Sequence, residues 1–155
     1  MADGYFSKII GHGTPHLPAN FRVLSGSHFM LKVTVVDETG EPTPLRLPEV
    51  GVGLDGRLLG AVWTLARDSR SAPLLTKTID QGITIITEEA AEGEANCGRL
   101  NVLITADDTA DLRGEYFHNC HLIEGTGQGE EGWTGRIFYG RAWFEPALIS
   151  APPQA

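Results

Sequence analysis

Several groups of residues carry side chains that do chemistry in other proteins, and their spacing decides what they do here. His12 and His16 stand four apart, a metal-binding interval on a helix, but Gly13 and Pro15 between them break that helix and leave a loop pair. His118, Cys120 and His121, taken with Cys97, are zinc-type ligands. In an extended strand His118 and His121 point to opposite faces, and no C-x-x-C pair supports them, so no metal site is expected. Cys97 and Cys120 are read as buried thiols, because a disulfide between them would need neighbouring strands.

The carboxylates Asp107, Asp108 and Asp111, and Glu88, Glu89, Glu92 and Glu94, lack the order of an EF-hand loop and read as solvated loops. Gly125-x-Gly127-x-Gly129 is not the dinucleotide fingerprint, and neither a P-loop nor a G-x-S-x-G elbow occurs. The chemistry thus points away from an enzyme and from any cofactor. Trp133, Tyr139, Trp143 and Phe144 are placed either to fill a core or subunit interface or to form a sugar-binding platform. That leaves a carbohydrate-binding module as the alternative function.

The elements that must position these groups are short strands. In His28–Val36 (HFMLKVTVV) the apolar Phe29, Leu31, Val33 and Val35 alternate with Lys32 and Thr34, the period of a half-buried strand. Val50, Val52 and Leu54 lead to Asp55-Gly56, a hairpin signal. Ala61–Ala66 and the β-branched run Ile83–Thr87 continue the pattern. Ala106–Leu112 reads as a turn or one helical turn, capped by Thr105 or Asp107. Tyr116, His118, Cys120 and Leu122 share one strand face, Glu124–Gly132 reads as a flexible loop, and Trp133–Phe144 holds the last strands. Nineteen glycines and nine prolines suit a chain cut by many turns. The expected fold is all-β, an antiparallel β-sandwich over 23–149 with a disordered tail at 150–155.

Residues 1–22 follow neither a helical nor a strand period and read as an irregular arm. Tyr5, Phe6, Ile9, Ile10, Leu17 and Phe21 supply apolar weight among Gly4, Gly11, Gly13, Pro15 and Pro18. Such an arm packs on its own domain as a first strand or lies across a neighbouring subunit. These six residues are the candidate docking contacts.

Composition narrows the partners. Twelve basic against 20 acidic residues leave a formal net charge of −8, which argues against a nucleic-acid backbone. No apolar run approaches the ~18 residues of a membrane span, and the N-terminus lacks the apolar core of a secretory signal.

Three pieces then matter in order: Val33-x-Val35-x-Asp37-x-x-Gly40; Leu75-x-Lys77 with Gly82-Ile83-x-Ile85; and Asp108-Thr109-x-x-Leu112-x-Gly114-x-Tyr116, with Gly140 and Phe144-x-Pro146 near the end. Over about residues 28–146 this order resembles the immunoglobulin-like module of tailed-phage virion proteins, especially the N-terminal domain of baseplate upper proteins. The placement of Gly114 and Tyr116 itself suits a tyrosine corner. The resemblance implies an Ig-like β-sandwich in a non-enzymatic adaptor or decoration subunit of a tail, baseplate or capsid. Such a subunit is assembled in the host cytoplasm, docks to other virion proteins and forms a homo-oligomer.

Overall fold

The computed structural model describes residues 2–7, 20–35, 41–48, 50–51, 53–54, 57–86, 98–126 and 129–146; in 2–7, 126 and 129–136 it describes the backbone. The described elements are β1 (Ala2–Ser7), β2 (Phe21–Leu24), β3 (Phe29–Thr34), β4 (Leu58–Ala66), β5 (Pro73–Ile79), β6 (Gly82–Ile85), β7 (Arg99–Ile104), the single-turn helix α1 (Ala106–Thr109), β8 (Gly114–Thr126) and β9 (Gly129–Glu145).

All nine strands join one sheet in the order β1-β3-β7-β6-β5-β4-β8-β9-β2. Alternation decides which face each strand buries. Phe29, Leu31 and Val33 of β3, Leu100, Val102 and Ile104 of β7, and Tyr116, His118, Cys120 and Leu122 of β8 all point inward. A sheet with one buried face can cover that face by curling on itself, and this one is nearly barrel-shaped. The closing contact is aromatic: Phe21 in β2, at one end of the strand order, stacks on Phe29 in β3, next to the other end, with centroids 4.9 Å apart and planes 15° apart.

The sheet departs from the expected antiparallel sandwich. It is mixed, because β1 pairs parallel to β3, β2 parallel to β9, and the ends of β5 and β6 parallel across a tight corner. Both described pieces of the expected arm therefore belong to the sheet. The expected strand through Val50, Val52 and Leu54 is also corrected. Residues 50–51 form a turn, 53–54 join no strand ladder although the Leu54 carbonyl accepts from Arg57 N at 3.0 Å, and Val50 is fully exposed. Pro42, Pro44 and Pro48 precede that run, and proline cannot donate to a ladder.

The expected loop at 124–132 is instead mostly ladder, with Glu124↔Trp133, Gly125↔Gly132 and Thr126↔Gly129 in register between β8 and β9. Backbone pairing needs no side chain, so glycines did not prevent it. Gly125 has a second reason to be glycine. A Cβ there would lie 2.0 Å from the carbonyl oxygen of Leu54, whose loop crosses it closely.

A polar pair lies in the core. Trp63 Nε1 of β4 donates to His118 Nδ1 of β8 at 3.1 Å, and both side chains are fully buried. Because Nδ1 accepts, the ring's remaining proton belongs on Nε2. Phe21 and Phe138 pack against the same imidazole, with centroids 4.9 and 5.5 Å away. Trp63→Phe keeps most of the apolar volume but strands a buried acceptor. It is expected to cost about 1–3 kcal/mol, read as a lowered urea midpoint at unchanged m-value.

Candidate functional site

The third piece of the sequence pattern lies around α1. Thr105 caps the helix: its hydroxyl accepts from Asp108 N at 3.2 Å, while Asp108 Oδ2 accepts from Thr105 N at 2.9 Å, a reciprocal capping box. The same carboxylate receives Lys77 Nζ of β5 at 2.6 Å. The hydroxyl of the buried Thr109 accepts from Gly26 N at 2.8 Å and donates to the Ser27 carbonyl at 3.2 Å. Ser25 Oγ donates to the Leu112 carbonyl. Gly114 adopts φ +89°, a left-handed value that turns the chain into β8 at no Cβ cost. Two residues on, Tyr116 is buried and its Oη accepts from Arg113 N at 3.0 Å. Asp108, Thr109, Leu112, Gly114 and Tyr116 thus clamp the β2–β3 turn, β5 and the start of β8 together. Their chemistry is spent on the fold.

The other candidates are also placed. Phe21 is only 8% exposed, so it is core and not a docking contact: the alternation Phe21-x-Val23 turns both side chains inward. Tyr5 and Phe6 lie on β1 opposite Lys32 and Val33 of β3. Ile9, Ile10 and Leu17 lie outside the described residues, as do His12, His16 and Cys97. Cys120 is a free, buried thiol, and burial pushes its pKa up, away from thiolate chemistry. Among the described residues no group of three or more His, Cys, Asp or Glu is gathered for a metal. Of the late aromatics, Phe144 is core, Trp143 is half-buried beneath Arg22 with 5.5 Å between guanidinium carbon and ring centroid, Tyr139 lies on the outer face, and the Trp133 side chain lies outside those described.

That outer face carries a cleft of about 450 Å³, which sequence reasoning missed. Its floor is the outward side of β8 and β9, where Phe117 and Tyr139 stack at 6.3 Å and 29°. One wall is the turn after β4, with Arg67, Asp68 and Ser69; the rim opposite holds Asn20, Glu115 and Arg141. Arg67 lies over the Tyr116 ring at 4.8 Å. Arg141 Nη1 meets Glu115 Oε2 at 2.9 Å, and Asn20 Oδ1 accepts from Arg141 N at 2.8 Å. The Asp68 carboxylate is held below its ordinary pKa by hydrogen bonds from Arg70 N and the Ser71 hydroxyl, so it stays charged and fixes the turn. Of its lining residues, Tyr116, Tyr139 and Gly140 were singled out from the sequence, but the cleft gathers four segments distant in the chain, around Asn20, 67–69, 115–117 and 139–141.

No family model matches the chain, and no curated protein matches it. Among solved structures it is similar to the N-terminal domain of phage TP901-1 ORF48, with a TM-score of 0.49 and 11% identity, over 94% of this chain and 99% of that one.

The Asp108 node makes a pH prediction. Burial raises the Asp108 pKa, but the Lys77 and Thr105 hydrogen bonds and the Lys77 charge outweigh it, so the folded value lies below the ordinary carboxylate value. A depressed folded pKa adds stability that is complete above the unfolded value, about 4, and is lost as pH falls through the folded value. Asp108→Asn is therefore expected to lower stability at neutral pH and to flatten the loss below about pH 4, read by urea unfolding at a series of pH values.

Proposed function

We propose that this chain is a non-enzymatic structural subunit of a phage virion, an adaptor or decoration component of a tail, baseplate or capsid, that docks to copies of itself and to other virion proteins. The sequence resemblance over about residues 28–146 supports the virion setting. The observation that carries docking is the position of β1. It stands at the end of the strand order, held by β3 along one edge, and among the described residues no strand occupies its other edge. An open strand edge offers unpaired N–H and C=O groups, which a further chain satisfies by strand addition. Tyr5 and Phe6 on this strand, with Ile9, Ile10 and Leu17 beyond it, are the proposed contacts. Phe21 is withdrawn from that set because it closes the core.

Removing residues 1–19 keeps Asn20, Phe21 and the whole of β2, so the barrel's closing contact remains. The shortened chain is expected to be monomeric with a native near-UV circular dichroism spectrum, where the full chain self-associates in sedimentation velocity at micromolar concentration. A full chain that stays monomeric across that range would overturn the self-docking part of the proposal.

A further inference from the structure

The outer cleft offers a function beyond docking. Its polar lining is balanced: Arg67 and Arg141 are matched by Asp68 and Glu115, with Asn20 and Ser69 beside them. Arg141 is already paired with Glu115, so the cleft presents no net charge to attract an anion or a cation. What it does present is a stacked aromatic floor, Phe117 and Tyr139, ringed by side chains that donate and accept hydrogen bonds. A saccharide has this pairing of surfaces, with C–H groups on the face of the ring and hydroxyls around its edge. The C–H face stacks on an aromatic ring, and the hydroxyls use mixed donors and acceptors without needing charge.

We propose that the cleft between the 67–71 turn and the outer face of β8 and β9 binds a neutral saccharide. Tyr139 and Phe117 form the stacking floor, and Arg67, Asn20 and Ser69 bond the hydroxyls. Arg67 is suited to this because its guanidinium carbon lies 4.8 Å from the Tyr116 ring centroid, a cation–π contact that holds its donors at the wall of the cleft. Asp68 accepts from Arg70 N and Ser71 Oγ, which holds the turn that carries Arg67 and Ser69. The inference moves the sugar-binding surface away from Trp143, which packs beneath Arg22, and from Phe144, which is core.

The test is titration of the full ¹⁵N-labelled chain with neutral oligomers of glucose, galactose and N-acetylglucosamine, followed by amide shifts. Saturable shifts at Arg67–Ser69, Phe117 and Tyr139–Arg141 are expected for at least one oligomer, with affinity unchanged by added salt. Tyr139→Ala is expected to weaken binding roughly two- to tenfold, the size of one lost aromatic stacking contact. Arg67→Ala, on an exposed turn, provides a second variant that leaves the barrel intact and is expected to weaken binding as well. The proposal is overturned if no neutral oligomer shifts these amides. Shifts that gather at Trp143 instead, or binding found only for acidic oligosaccharides and abolished by salt, would overturn it equally. None of these outcomes bears on self-association, so this proposal and the docking proposal fail separately.

Discussion

The contact between Phe21 and Phe29 holds the architecture closed. A nine-stranded sheet with one apolar face has to hide that face, and among the described residues there is no second sheet for it to pack against. Phe21 sits in the last strand of the order and Phe29 in the second, so their stack joins the two ends across the interior. The same Phe21 ring meets His118 edge-on at 4.9 Å and Phe144 at 6.1 Å. Truncating such a ring costs about 3–5 kcal/mol, well above the roughly 0.5–1.5 kcal/mol of a single aromatic pair. Most of its worth therefore lies in filling the centre, with the stacking geometry as a smaller increment.

A second node, around α1, explains how a single helical turn persists among the described strands. Four residues cannot form a stable helix alone, since the cost of nucleation exceeds one turn's hydrogen bonds. Here the turn is fixed from outside: Lys77 from β5, the Ser25–Ser27 turn and the capping Thr105 all hold Asp108 or Thr109. Asp108, Thr109, Leu112, Gly114 and Tyr116, one of the three pieces of the sequence pattern, thus lock this corner together with Lys77. They speak to how the chain folds. Function has to be argued from other surfaces, namely the outer edge of β1 and the outer face of β8 and β9.

The sequence made some of this legible and hid the rest for physical reasons. Alternation in Phe29–Val35 and Tyr116–Leu122 located inward faces because a period of two is a local property. Parallel pairing is not local: nothing near Phe21 says that its partner is Ala142, or near Ala2 that its partner is Phe29. Residues 50–51 and 53–54 had strand composition without a ladder to join, and Gly125, Gly129 and Gly132 had loop composition with one. The cleft was hidden for the same reason. Its floor pairs Phe117 with Tyr139 across strands, and its wall comes from a turn some fifty residues earlier.

The division between the two N-terminal strands follows from their surroundings. β2 is tied to β9 in register, its Phe21 and Val23 are buried, and Ser25 N donates to the Glu145 carbonyl at 2.7 Å just beyond it. Losing it would open the core. Among the described residues β1 pairs with β3 alone, and it sits outside the closing stack, so the barrel can be completed by Phe21 without it. A segment whose pairing is separable from core closure can contribute its free edge to an assembly without weakening the fold that supports it. Among the described residues the N-terminal stretch therefore divides between Phe21 and Val23, which are committed to the core, and β1, which lies outside the closing stack.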